Sequence, residues 1–149
     1  MGLGQSMTGG ERLNNPGNLI HDGSCWPGLL PPAKPSRFGW QDEQRLCHFD
    51  TPAHGIGALC TVLLSYQRLK GCWTLGQLMR RWLAAGDDDI EAHLAQAEKR
   101  TGIAEHGPVD LDRPGDLATV AQAIIACENG RCIYDDGLIA EAAAATLAR

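Results

Sequence analysis

The chain has 149 residues, the size of one ordinary domain and too short for two. With 44% hydrophobic and 21% charged residues it can bury a core, which excludes a disordered chain. A formal net charge of −5 excludes a broad basic grip on nucleic acid or an anionic membrane, and no apolar run is long enough to span one.

Residues 1–10 read as a flexible N-terminal segment. They carry no charged start followed by an apolar stretch, so no Sec-type signal is expected, and Ser6-Met7-Thr8-Gly9-Gly10 looks like part of an expression tag. Residues 11–149 read as a single domain in two unequal parts. From 11 to 50, Pro16, Gly17, Gly23, Pro27, Gly28, Pro31, Pro32, Pro35 and Gly39 interrupt any helix, predicting turns and short strands. His21, Trp26, Phe38, Trp40, His48 and Phe49 gather in this lobe.

From Thr51 the pattern becomes helical. Asp50 or Thr51 can cap, Pro52 suits the first helical position, and Ile56, Leu59, Cys60, Leu63, Leu64 and Tyr66 recur at helical spacing up to Gly71. Thr74 can cap a second helix to Ala85, with Leu75, Leu78, Met79 and Trp82 inward and Gly86 as its stop. Asp87 to Asp89 give a third helix an acidic start, and Gly102 ends it. A fourth runs from about Pro114 to Gly130 and an alanine-rich fifth from about Asp136 to Ala148. The fold class is mainly α, in α+β form, with a small irregular β or loop lobe at the N-terminus.

Six dispersed cysteines form no CxxC pair, which disfavours zinc ribbons and thioredoxin-like motifs. Chain neighbours suggest Cys25–Cys47, Cys60–Cys72 and Cys127–Cys132 disulfides, and buried thiols acting as small hydrophobes fit equally well.

The strongest chemical signal is Cys127-Glu128-Asn129-Gly130, which closes an apolar helix. A carboxylate there faces the negative end of the helix dipole beside Ile124, Ile125 and Ala126. Both effects disfavour its charged form, as a proton donor near neutral pH requires. A solvated Glu before a glycine cap is the plainer reading. The second signal is Asn14-Asn15-Pro16-Gly17-Asn18-Leu19, a tight turn whose amides can bond backbone or a ligand's hydroxyl and acetamido groups.

These stretches, with Gly23, Trp26-Pro27-Gly28, Phe49-Asp50-Thr51-Pro52, Gly55-Ile56, Leu63-Leu64 and Tyr66, resemble a family of phage virion and lysis proteins. Its members open with RNNNPGNI-like, W-x-G and F-x-T-x-x-x-G-I segments. Arg81-Trp82, Ala123-Ile124-Ile125, Glu128-Asn129-Gly130 and Tyr134 resemble the family's tail, so the likeness runs from Arg12 onward. The order of the Asn turn, W-x-G, Phe49 to Thr51 and Leu63-Leu64-Tyr66 is also similar to bacterial glucosaminidases of the lysozyme superfamily. In those enzymes a catalytic Glu ends a helix upstream of the turn. The resemblance therefore implies a circularly permuted lysozyme-like domain with Glu128 in the catalytic place. Glu11, three residues before the turn, is the other candidate acid.

The resemblance implies a peptidoglycan glycosidase, of muramidase, glucosaminidase or lytic transglycosylase type. Asn15 and Asn18 would shape the floor, Trp26 and Trp40 would stack on sugar rings, and Tyr66 and Tyr134 would support them. Asp22, Asp42, Glu43 and Asp50 are candidates for a second carboxylate. No cofactor is expected. Cys47, His48, Asp50, His54 and His21 match no metal spacing, and common serine-hydrolase, zincin and phosphate-loop motifs are missing.

The expected partner is the peptidoglycan glycan strand, with no nucleic acid and no membrane insertion. Action would be in the periplasm or cell wall after phage- or secretion-mediated delivery. A non-enzymatic virion or wall-binding module would instead leave Glu128 exposed beside a shallow cleft. An antibacterial toxin would add an immunity protein that plugs the cleft.

Overall fold

The structure, a computed structural model, describes residues 7–31, 45–83 and 89–149. It is mainly helical. The helices are α1 (Gly9–Leu13), α2 (Pro52–Lys70), α3 (Leu75–Leu83), α4 (Ile90–Thr101), α5 (Pro114–Asn129) and α6 (Asp136–Leu147). Trp40, Asp42 and Glu43, and the proposed Ala85–Gly86 helix stop, lie outside the described residues.

The helix ends follow local chemistry. Thr51 caps α2 by accepting the His54 amide, Pro52 follows at the first position, and Gly71 closes the helix in the left-handed conformation. Gly102 and Gly130 end α4 and α5 the same way. Asp50, the other cap candidate, instead meets His54 Nδ1 at 2.6 Å; hydrogen bonding to that ring holds the exposed carboxyl below its ordinary value.

The core forms where α2, α5 and α6 pack together, with α3 and α4 against them. Ile56, Leu59 and Leu63 meet Leu117, Ile124, Ile125, Ile139 and Ala143, all buried. Buried Gln67 pins the connection after α4: its amide donates to the carbonyls of Cys72 and Val109, and its Oε1 accepts the Leu111 amide. A second, small cluster of Cys47, Phe49 and Ala58 carries the loop lobe, with Trp26 and Leu29 packed on it. Single antiparallel bridges, Ile20 to Leu46 and Leu29 to Phe49, tie the lobe's two stretches together.

Helix α1 begins at Gly9, within the segment 1–10 expected to be flexible. Thr8 and Glu11 form a reciprocal capping box, and Gly10 is buried against Asn129. The six cysteines are thiols, joined by no disulfide.

Candidate active site

The Asn turn is built into the fold by its own side chains. Asn14 ends α1 at φ 51° and donates to the Phe49 carbonyl. The turn lies hard against α2, where a Cβ on Gly55 would stand 1.8 Å from the Asn14 carbonyl oxygen. Only glycine allows that approach. Asn15 is fully buried: its amide donates to the carbonyls of Leu19 and Cys47, and its oxygen accepts the Leu19 amide. Asn15 therefore holds the turn together and has no polar atom left for a sugar, which corrects its placement among the substrate contacts.

Asn18 points the other way. It sits at φ 51°, a left-handed conformation that Asn tolerates better than most residues, and its amide donates to Glu128 Oε2 at 2.8 Å. Glu128, one residue before the end of α5, is partly buried. The adjacent Asn129 clamps the helix end to the turn. Its amide donates to the carbonyls of Pro16 and Ile125, and its oxygen accepts the Thr8 hydroxyl at 2.8 Å. Arg131 completes the clamp on Glu11 at 2.6 Å. These bonds hold the segment around Glu128 in place, the role the sequence offered to a Cys127–Cys132 disulfide.

Glu11, the rival acid, is committed elsewhere: its carboxylate caps the Thr8 amide and pairs with Arg131. It does not line the cleft that holds Glu128.

That cleft encloses about 310 Å3 between the loop lobe and the helical body, within the range of small-ligand sites. Asn18 and Glu128 form one end, Trp26 stands on the loop side, and Val62, Tyr66 and Trp82 form the helical wall. Tyr66 and Trp82 pack edge to face with centroids 6.0 Å apart, and the Arg81 guanidinium lies 5.5 Å from the Tyr66 centroid. Burial pushes the Tyr66 phenol up despite that cation. Gly17 gives Trp82 its room, since a Cβ there would come within 2.8 Å of the indole.

Of the second-carboxylate candidates, Asp22 reaches this cleft. Hydrogen bonds from the Ser24 hydroxyl and amide hold its exposed carboxyl below the ordinary value, so it is ionised at neutral pH. Asp50 does not line the cleft. Tyr134 does not line it either. The Tyr134 side chain packs on the core with its hydroxyl buried and with no hydrogen-bond partner among the described residues, and burial pushes that phenol up to about 12. Sequence reasoning placed Trp82 with the inward positions of its helix and missed its second face on the cleft. Ile20, 64% exposed at the cleft edge, carried no signal beyond being an apolar residue in a polar turn.

The arrangement offers the Glu128 carboxyl group held by an amide, the ionised carboxylate of Asp22, and aromatic surfaces on two walls. Among the described residues no three His, Cys, Asp or Glu side chains are placed to share a metal ion, and no helix is long and apolar enough to cross a membrane. No protein-family model matches the chain, and no curated protein matches it.

Proposed function

We propose that this protein is a peptidoglycan glycosidase in a lysozyme-like domain, with Glu128 as its general acid. The observation that carries this reading is the placement of Glu128: partly buried at a helix C-terminus, bonded to Asn18, and facing a cleft walled by Trp26, Tyr66 and Trp82. Indole and phenol surfaces suit the apolar faces of amino sugars, and amide groups suit their hydroxyl and acetamido groups.

In the protonated acid, Oε2 accepts the Asn18 amide as a carbonyl oxygen and the proton sits on Oε1. That proton passes to the glycosidic oxygen as the bond from the sugar's C1 to that oxygen breaks. The ionised Asp22 favours the positive charge developing at C1. Water then adds at C1 and passes its proton to the Glu128 carboxylate, giving a reducing sugar, or the sugar's own 6-hydroxyl adds, passes its proton to the same carboxylate and gives a 1,6-anhydro product. A phage lysin, a virion enzyme and a delivered antibacterial toxin all use this chemistry, and each acts at the cell wall.

The test is incubation with purified Gram-negative peptidoglycan near pH 6, followed by mass analysis. Soluble muropeptides with either a reducing or an anhydro end are expected, and their masses identify the bond cut. No soluble muropeptides from folded protein would overturn the proposal in favour of a non-enzymatic virion or wall-binding module.

A further inference from the structure

A second groove, of about 500 Å3, lies beside the cleft and shares Trp26 with it. Its floor and rim come from one stripe of α2, Thr61, Leu64, Arg68 and Leu69, with Arg149 following α6. Two features set it apart. Leu69 is 78% exposed, a large apolar side chain left in water at the groove edge. The charged side chains lining the groove are guanidiniums, on a chain whose net charge is −5.

We propose that this groove binds the peptide branch of the substrate whose glycan lies in the cleft. The inference rests on the peptidoglycan reading above. Trp26 connects the two cavities, so a strand with its sugars against one part of the indole can send a substituent past the other. The peptide of peptidoglycan begins with alanine, whose methyl group suits Leu64 and Leu69, and continues with residues bearing free carboxylates. Those carboxylates suit Arg68 and Arg149, since guanidinium–carboxylate pairing is the stronger, bidentate kind of hydrogen bonding.

Arg68 already pairs with Asp112, but both side chains are more than half exposed, at 55% and 60%. A surface pair of this kind contributes little and exchanges partners readily. The groove therefore selects peptide-bearing strands over bare ones, leaving the bond-breaking step to the cleft.

The experiment uses the soluble peptide L-Ala–γ-D-Glu–meso-diaminopimelate. Binding is followed through the NMR signals of the Trp26 indole N–H and the Arg68 guanidinium. In parallel, cleavage is measured on peptide-bearing strands and on strands stripped by an amidase. The peptide should shift both signals, and Arg68→Gln should weaken binding about tenfold. The same variant should raise KM about tenfold on peptide-bearing strands alone, with kcat unchanged. Asp112→Asn, which releases Arg68 from its partner, should bind the peptide at least as tightly as the wild type.

Absence of peptide shifts, or an equal effect of Arg68→Gln on both substrates, would overturn the proposal. So would groove substitutions that change the oligomeric state, which would make the face an interface between copies. Peptide binding in a protein that cleaves no strand would support the groove and overturn the glycosidase reading alone.

Discussion

Asn18 and Glu128 stand at opposite ends of the chain and meet through one 2.8 Å hydrogen bond. That bond joins the loop lobe to the end of α5 at one end of the cleft and holds one oxygen of the carboxyl group. Asn18 reaches it only from a left-handed backbone at φ 51°, the conformation the Pro16-Gly17 turn delivers. Asn18→Asp keeps the size and tolerates that backbone, but replaces a donor with a second carboxylate. Two carboxylates in hydrogen-bond range share a proton, so one of them holds it to higher pH. The alkaline limb of the pH–activity profile should move up. Stability should be retained at low pH and lost as pH rises through the shared proton's pKa. A pH-rate profile with parallel thermal melts checks both signs.

Asn15 separates structure from chemistry within the same turn. Asn15→Ala removes three hydrogen bonds from a fully buried side chain, two to Leu19 and one to the Cys47 carbonyl, and should cost about 2 kcal/mol in urea unfolding. Gly55→Ala drives a methyl into the Asn14 carbonyl oxygen and should cost about 3 kcal/mol or more. Neither effect should depend on pH between 5 and 8, since no ionisable group is altered.

Tyr134 should behave in the opposite way. Its hydroxyl is buried with no partner among the described residues, so Tyr134→Phe removes an uncompensated polar atom and should leave stability unchanged or raised. The phenol is pushed up to about 12, chiefly by burial, from an ordinary value of 10. The fold tolerates the neutral phenol better than the phenolate, so stability is independent of this group below pH 10 and falls as pH rises toward 12. Absorbance titration at 295 nm of the native protein should therefore lag behind that of the unfolded chain.

The thiols should react in order of access. Cys25 is exposed, whereas Cys60 is buried and its thiol is pushed up to about 12 by that burial. A thiol reagent on native protein should modify Cys25 first and reach Cys60 only on unfolding, as peptide mapping of time points would show.

The long helices were legible because punctuation and periodicity agree: Thr51-Pro52 starts one, and Gly71, Gly102 and Gly130 each end one. Helix α1 was not legible. Five residues with two glycines cannot form an isolated helix, and the contacts of Thr8 and Glu11 with Asn129 and Arg131, which hold it, are more than a hundred residues away. Glu128, Asn18, Trp26 and Tyr66 were found in sequence and meet at one cleft. Asn15 and Tyr134 were placed with them and belong to the scaffold. An irregular turn has no period that tells which amide faces inward, and helical spacing locates Trp82 near the core without revealing its second face.

On the proposed reading, Glu128 donates the proton to the glycosidic oxygen. The most direct test of this role compares initial rates of muropeptide release by the wild type and Glu128→Gln, with circular dichroism establishing that both are folded. Gln keeps the size and can still meet Asn18, but it has no acidic proton. A fall of about 100-fold or more is predicted. Equal rates from two folded proteins would contradict the claim and move the acid to another carboxyl group.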